Sequence, residues 1–198
     1  MDAGRPLSVA GLATRIRSAE PRLGRTRLVT VDGPAGSGKT TLADRLAAAL
    51  DPDAAVVHLE DLYAGWTLSG AVARLSAGVL RPLAEGRPGT HHRYDWAAGR
   101  FDDEPVAVPL PRVLVVEGCG SSPRALDPWT SLRIWVEAPA PLRLARGLAR
   151  DGADLAAHWR RWQQSEAAHF AAEDTRARAD LRVDGAAPCP DGAFVASA

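Results

Sequence analysis

The chain has 198 residues, which is enough for one domain with a substantial buried core. Its 24 basic and 24 acidic residues balance, so the net charge does not favour binding to nucleic acid or to an anionic membrane. Cys119 and Cys189 form neither a CxxC pair nor a disulfide framework, which favours a reducing compartment. With no signal-peptide pattern and no long apolar run, we expect one cytoplasmic domain over 1–198.

Along the chain, helical periodicity alternates with short, β-branched runs. Helices are predicted at 8–19, 40–50, 68–84, 139–150 and 155–175, and strands at 27–32, 55–59, 113–118, 132–138 and 180–185. An excursion at 86–112 is rich in glycine, proline and aromatic residues, and 186–198 is predicted to be a loose tail. This alternation indicates a three-layer α/β fold, with a parallel sheet of about five strands and helices on both faces.

The turn after the first of these strands carries the strongest motif of the sequence. Gly33, Gly38, Lys39 and Thr40 satisfy G-x-x-x-x-G-K-[ST], the P-loop pattern, and Lys39 is the only lysine among the 24 basic residues. Backbone N–H groups of such a loop cradle phosphates, the lysine reaches the β- and γ-phosphates, and the threonine hydroxyl can ligate Mg²⁺. We therefore predict binding of ATP and Mg²⁺, with these nucleotide-binding residues: Gly33, Pro34, Ala35, Gly36, Ser37, Gly38, Lys39, Thr40 and Thr41.

Two acidic sites at strand ends favour phosphoryl transfer over a GTPase switch. A GTPase needs an Asn/Thr-Lys-x-Asp element and D-x-x-G, yet the chain has no asparagine and no D-x-x-G. Glu60 and Asp61 follow the second strand, where a carboxylate can accept a hydroxyl proton and help to hold Mg²⁺; the alternative is a solvated turn that caps a helix. Glu117 ends the buried strand VLVVE, and we expect it to bind Mg²⁺ together with Thr40; the alternative is a plain charge at the end of a strand.

Arginines and aromatic residues mark the two helices that follow. Arg143, Arg146 and Arg150 share one helix face before Gly152, which suits a lid over about 146–160 with Arg146 and Arg150 as catalytic residues; the alternative is a solvated arginine face. Trp159, Trp162, Glu166, His169 and Phe170 also recur near helical spacing. For that second set, core packing is the preferred interpretation.

Between about 28 and 185, the sequence resembles the uridine kinase family of P-loop nucleoside kinases. The motifs that carry the resemblance are VDGPAGSGKTTLA, HLEDLY, YDW, VVEG, RLARGLARD and ADLRVDG. The resemblance implies ATP·Mg²⁺-dependent phosphorylation of a hydroxyl, with Asp61 as catalytic base and Thr40 and Glu117 on the metal.

The same resemblance implies that the excursion forms a hairpin over a nucleoside. Tyr63, Tyr94 and Asp95 would then lie in the acceptor pocket; an aspartate suits a sugar diol, and Tyr94 and Trp96 offer stacking faces. The chain departs from the family at Gly147, where an arginine is usual, in the short GAD segment after Asp151, and in the residues that read a pyrimidine. Uridine as the acceptor therefore does not follow.

Two other functions stay open at this point. A nucleoside monophosphate kinase similar to cytidylate kinase would hold the acceptor phosphate with Arg81, Arg93 and Arg100. A non-catalytic ATP-binding regulator would need no base, which Asp61 and Glu117 argue against. The acceptor is expected to be a small nucleoside-like alcohol, and a homo-oligomer is also left open.

Overall fold

A computed structural model describes residues 6–187 and 193–197. The strands are β1 (Pro6–Ser8), β2 (Arg27–Asp32), β3 (Ala54–His58), β4 (Gly89–His91), β5 (Tyr94–Asp95), β6 (Arg100–Phe101), β7 (Val106–Val108), β8 (Val113–Glu117), β9 (Thr130–Glu137), β10 (Leu181–Asp184) and β11 (Ala193–Ala196). The helices are α1 (Val9–Ser18), α2 (Lys39–Leu50), α3 (Ala71–Leu75), α4 (Arg81–Ala84), α5 (Ala140–Asp151), α6 (Ala156–Glu173) and α7 (Thr175–Arg178). One π-helical turn, Ser76–Leu80, joins α3 to α4, and 3₁₀ turns occupy Leu59–Leu62, Arg124–Leu126 and Ala153–Leu155.

The central sheet has the strand order β1-β11-β10-β9-β2-β8-β3. The five strands from β10 to β3 run parallel, which confirms the predicted parallel sheet. β1 and β11 add an antiparallel edge.

The strand β11 corrects the prediction of a loose tail over 186–198. Its Ala-Phe-Val-Ala segment pairs with both β1 and β10, and Phe194 is buried in the core. Sheet pairing and burial of an aromatic ring outweigh the low regularity of the surrounding sequence. Residues 188–192, which include Cys189, lie outside the described residues.

Alternate side chains of the central strands enter two separate cores. Val29 and Val115 face the layer formed by α1 and α2. Leu28 and Leu114 face the opposite layer, which contains α3, the π-helical turn, α4 and Trp162 of α6. The sheet is therefore covered on both faces, as a parallel sheet requires.

The register of the parallel strands brings three polar residues to one edge of the sheet. Glu117 of β8 lies opposite Val31 of β2 and His58 of β3. Asp32, the next residue of β2, lies at the same carboxyl edge, where ligands bind in open α/β sheets.

The excursion folds as two nested antiparallel ribbons, β4 with β7 and β5 with β6. This arrangement matches the hairpin that the resemblance implied. Within residues 6–187 and 193–197, no helix combines the length and the apolar character needed to cross a membrane.

Candidate active site

The turn between β2 and α2 packs tightly against neighbouring backbone. Gly33 has a φ of 143° and Gly36 a φ of 78°, in the region that favours glycine. A Cβ at Gly33 would lie 2.0 Å from the Val136 carbonyl oxygen, and one at Gly36 would lie 2.6 Å from that of Arg143. The loop leads into α2 at Lys39, and the first turn of a helix has backbone N–H groups without intrahelical partners, which suit an anion.

Lys39 is enclosed beneath this loop and is only 7% exposed. Its Nζ donates to the Pro34 carbonyl oxygen at 3.0 Å and lies 3.5 Å from Cys119 Sγ. Burial alone would lower the pKa of Lys39, but the neighbouring carboxylates of Glu117 and Asp32 raise it above its ordinary value. Burial raises the pKa of Cys119 to about 12, so the thiol is neutral and the ammonium is charged.

Asp32 connects the P-loop to the loop after β8. Its fully buried carboxylate accepts the backbone N–H groups of Gly33, Gly120 and Ser122 at 2.7, 2.8 and 2.8 Å. Burial raises the pKa of Asp32, against the three hydrogen bonds that lower it. Asp32 was not among the predicted site residues, although an acidic residue at the end of a buried strand is the signal that identified Glu117.

Glu117 and Thr40 meet at the edge of the cleft beside Lys39. Glu117 Oε1 accepts from Thr40 Oγ1 at 3.3 Å and lies 2.8 Å from His58 Nδ1. The hydrogen bond to Glu117 raises the pKa of His58, although burial opposes this. The donor pair of one hydroxyl and one carboxylate, next to a phosphate cradle, suits Mg²⁺, which keeps waters and takes its remaining ligands from phosphates. In the part of the chain that the structure describes, no group of three or more His, Cys, Asp and Glu side chains forms a self-sufficient metal site.

A cleft of about 1150 Å³ opens in front of these residues. Of the predicted nucleotide-binding residues, Ala35, Gly36, Gly38, Lys39, Thr40 and Thr41 line it. Gly33, Pro34 and Ser37 do not line it, and the Ser37 hydroxyl is buried without a hydrogen-bond partner among the described residues.

The two adjacent acids after β3 point in different directions. Glu60 lines the cleft. Desolvation raises the pKa of Glu60, opposed by nearby Arg150 and reinforced by Glu117. Asp61 does not line the cleft; its Oδ2 accepts from Arg93 Nε in the excursion at 3.3 Å. Glu60 therefore shares the cleft with residues of the P-loop, whereas the predicted base Asp61 does not line it.

The three arginines of α5 have three different environments. Arg143 is largely buried and pairs with Glu166, with Nη1 2.7 Å from Oε1. Arg146 lines the cleft and donates to the carbonyl oxygens of Gly36 and Gly185 at 3.2 and 3.0 Å. Arg150 also lines the cleft and is held by Asp151 through contacts of 2.6 and 3.1 Å. This helix face is therefore attached to the P-loop at its start and open to the cleft at its end.

Two of the four predicted acceptor residues line the cleft, namely Tyr63 and Trp96. The Tyr63 hydroxyl donates to the Cys119 carbonyl oxygen at 2.7 Å. Tyr94 instead packs edge-on against Trp96 and Phe101, outside the cleft wall. Asp95 is occupied in a turn, where Oδ1 accepts the N–H groups of Ala97 and Ala98.

Three tryptophans form an aromatic wall of the cleft, and none of them was among the predicted site residues. Trp66, Trp159 and Trp162 line the cleft, and the Trp66 ring centroid lies 6.1 and 6.0 Å from those of the other two. Helical spacing identified the buried face of α6 correctly as packing, but one edge of that packing is also the cleft surface.

Gly147 is explained by this aromatic wall. A Cβ at position 147 would lie 2.3 Å from the six-membered ring of Trp159. The indole Nε1 donates to Asp151 Oδ2 at 3.0 Å, and Asp151 in turn holds Arg150. The space beside this turn of α5 is filled by an indole, and no side chain fits at position 147.

Comparisons with known proteins identify relatives by structure alone. No protein-family model and no curated protein sequence matches the chain. The structure of a possible uridine kinase from Bacillus stearothermophilus aligns with a TM-score of 0.65 and 19% identity, over 88% of this chain and 96% of that chain. One provisionally described as a fructose transport system kinase, from Silicibacter sp. TM1040, aligns with a TM-score of 0.61 and 23% identity, over 89% of this chain and 98% of that chain. At these identities the likeness shows a shared fold, an α/β fold with a central, mostly parallel sheet.

Proposed function

We propose that this protein transfers the γ-phosphoryl group of ATP to a hydroxyl of a small, uncharged, nucleoside-like alcohol. The observation that carries the proposal is one cleft with two chemically different halves. The donor half contains the P-loop with Lys39, Thr40 and Glu117; the acceptor half contains Glu60 and the aromatic wall. Both structures compared above are described as kinases, which supports phosphoryl transfer.

Lys39 and the N-terminus of α2 would hold the phosphates of the donor. The buried ammonium keeps its charge because of the surrounding acids, and it would neutralise charge on the transferred group as the reaction proceeds. Thr40 and Glu117 would hold Mg²⁺, which supplies electrostatic stabilisation of the phosphates. Arg146 and Arg150 line the same cleft and would add positive charge over the phosphates.

Glu60 is our choice for the group that accepts the proton of the attacking hydroxyl. It lines the cleft, and partial desolvation raises the pKa of its carboxyl group although the residue as a whole is exposed. A raised pKa makes a carboxylate a better general base. Asp61 is the alternative from the sequence, but its carboxylate is turned to Arg93. We expect Asp61 to position the excursion relative to β3.

The nucleoside monophosphate kinase alternative finds little support in the acceptor half. Arg93 pairs with Asp61 and Arg100 with Asp103, and neither these two nor Arg81 line the cleft. A phosphate on the acceptor would need guanidinium or ammonium groups there. The aromatic wall instead suits a flat or apolar portion of an uncharged acceptor.

ADP release should be measured with ATP and a panel of nucleosides, nucleotides, sugars and vitamins. We expect turnover with an uncharged alcohol. Phosphorylation of CMP or UMP without any nucleoside would replace the proposal by the monophosphate kinase, and ATP binding without turnover on any acceptor would favour a regulator.

The same assay identifies the proton acceptor through two matched neutral variants. Glu60→Gln should reduce kcat by about 10²–10⁴-fold, the usual contribution of general-base catalysis, and leave ATP affinity close to wild type. Asp61→Asn should have a much smaller effect on kcat. If Asp61→Asn reduced kcat more than Glu60→Gln, Asp61 would be the proton acceptor.

A further inference from the structure

The buried carboxylate of Glu166 has no part in the chemistry proposed above. It lies on α6, more than a hundred residues from the P-loop in sequence, and it is only 2% exposed. Burial of a charged carboxylate is costly unless the group is paired and hydrogen-bonded. The hydrogen-bond partners of the Glu166 carboxylate therefore indicate its role.

Both carboxylate oxygens of Glu166 are used to hold the P-loop and α5. Oε2 accepts the Ala35 N–H at 2.8 Å, and Oε1 accepts from Arg143 Nη1 at 2.7 Å. The same Nη1 lies 3.4 Å from the Ala35 carbonyl oxygen. Ala35 is thus held at its N–H by Glu166 and at its C=O by the arginine that pairs with Glu166.

The Ala35 N–H belongs to the same peptide group as the Pro34 carbonyl. That carbonyl oxygen accepts from Lys39 Nζ at 3.0 Å. Because the C=O and N–H of a trans peptide point in opposite directions, one side of this group faces Glu166 and the other faces the lysine. A rotation of the peptide would break both hydrogen bonds together.

Cys119 gives a second connection between the same two side chains. Its thiol lies 3.5 Å from Glu166 Oε2 and 3.5 Å from Lys39 Nζ. Since burial keeps this thiol neutral, it can donate to the carboxylate while its sulfur faces the ammonium. Glu166 and Lys39 therefore share two neighbours, the Pro34–Ala35 peptide and Cys119.

We propose that Glu166, paired with Arg143, is a positioning residue that orients the Pro34–Ala35 peptide and, through it, places Lys39 for the phosphates of the nucleotide. The proposal rests on the proposed function only in assuming that the P-loop binds a nucleotide. The charge matters because a hydrogen bond to a charged acceptor is stronger than one to a neutral acceptor. An amide in the same place would leave the peptide and Arg143 less firmly held.

The test is equilibrium binding of ATP and of inorganic triphosphate to the full chain and to Glu166→Gln. We expect both ligands to bind at least about tenfold more weakly to the variant, the range for a hydrogen bond to a charged group. The two losses should be similar, because triphosphate has only the part that the P-loop holds. Glu173→Gln is the matched control: it makes the same change on the same helix, where the carboxylate accepts the Arg124 N–H instead, and both affinities should stay at the wild-type value.

The Ala35 amide provides a readout that does not depend on activity. In the wild type its proton resonance should lie downfield, because its acceptor is a carboxylate, and Glu166→Gln should move it upfield. If Glu166→Gln does not fold, Glu166→Asp keeps the charge but shortens the reach to Ala35, and it should show weaker ATP binding with a retained fold. Wild-type affinities in whichever variant folds, or an unmoved Ala35 resonance, would overturn the proposal.

The outcomes separate this inference from the proposed function. Weaker binding in Glu166→Gln together with no phosphorylation of any acceptor would support the inference and overturn the kinase. If the wild type and Glu166→Gln bind ATP equally and an alcohol is phosphorylated, the kinase is supported and the inference about Glu166 is overturned. A wild type that binds neither ATP nor triphosphate would overturn both.

Discussion

The two halves of the cleft are built in opposite ways. In the donor half, buried charged groups and backbone share many hydrogen bonds: Asp32 alone accepts three backbone N–H groups, and Lys39 is enclosed by Pro34 and Cys119. In the acceptor half, aromatic rings meet edge to face, and Trp96 at the rim is 47% exposed. Phosphate recognition needs fixed backbone geometry, whereas an aromatic wall tolerates changes of side chain. We therefore expect substitutions in the donor half to act on turnover, and those in the aromatic wall of the acceptor half to act on the choice of acceptor.

Of the three further substitutions that compare the two halves, Lys39→Arg in the donor half should have the largest effect. The planar guanidinium has no room between the Pro34 carbonyl oxygen and Cys119 Sγ, at 3.0 and 3.5 Å from the ammonium. We expect kcat to fall by about 10²–10³-fold, as when one preorganised charge-stabilising group is lost, measured as ADP release. Arg160→Lys, the converse change at an exposed position of α6, should leave the rate unchanged. A near-normal rate in Lys39→Arg would show that the space around residue 39 adapts to a guanidinium, contrary to the rigid donor half described above.

An intermediate effect is expected for Gly147→Ala, where α5 meets the aromatic wall. A Cβ would lie 2.3 Å from the Trp159 ring. Alanine favours the helix by about 1 kcal/mol over glycine, but overpacking costs about 1–3 kcal/mol, so the free energy of unfolding should fall in urea titrations. The same substitution in a Trp159→Phe background should cost less, because the smaller ring leaves space beside position 147. If Gly147→Ala lowers the free energy of unfolding equally with Trp159 and with Phe at position 159, the Trp159 ring is not the reason for glycine at position 147.

The smallest effect is expected for Trp96→Ala in the acceptor half. The side chain is about half exposed and contacts Trp66 and Tyr94, so stability should change little. We expect the KM of the acceptor to rise by roughly tenfold, as for loss of one aromatic contact, with the KM of ATP unchanged. Leu110→Ala is the control, since Leu110 is also an exposed apolar residue of the same excursion but does not line the cleft. If Trp96→Ala changed the KM of ATP as much as the KM of the acceptor, the cleft would not consist of separate donor and acceptor halves.

The donor half was largely predictable because its parts are close together in sequence. Gly33, Gly38, Lys39 and Thr40 lie within one strand–turn–helix unit, and local geometry decides where their groups point. Glu117 was predictable for a different reason, because an acidic residue that ends a run of buried apolar residues has few structural uses. Asp32 carries the same signal, since it ends the buried strand β2.

The acceptor half was much less predictable because it depends on packing between distant segments. Trp66, Trp96 and Trp159 come from three different parts of the chain and meet only in the folded protein. Helical spacing shows that Trp159 and Trp162 are buried, but it does not show that a cleft begins at their edge. The orientation of Glu60 relative to Asp61 likewise depends on a 3₁₀ turn and on Arg93, neither of which the residue types reveal.

The sequence by itself determined the layered α/β fold, its five parallel strands and the P-loop, because apolar periodicity and glycine positions act over short stretches of chain. Only the tertiary structure decided that Glu60 lines the cleft, that Glu166 holds the P-loop, that Gly147 makes room for an indole, and that residues 193–196 complete the sheet. Each of these depends on contacts between residues far apart in sequence. Their partners are chosen by burial and hydrogen bonding in the assembled core, which no local pattern records.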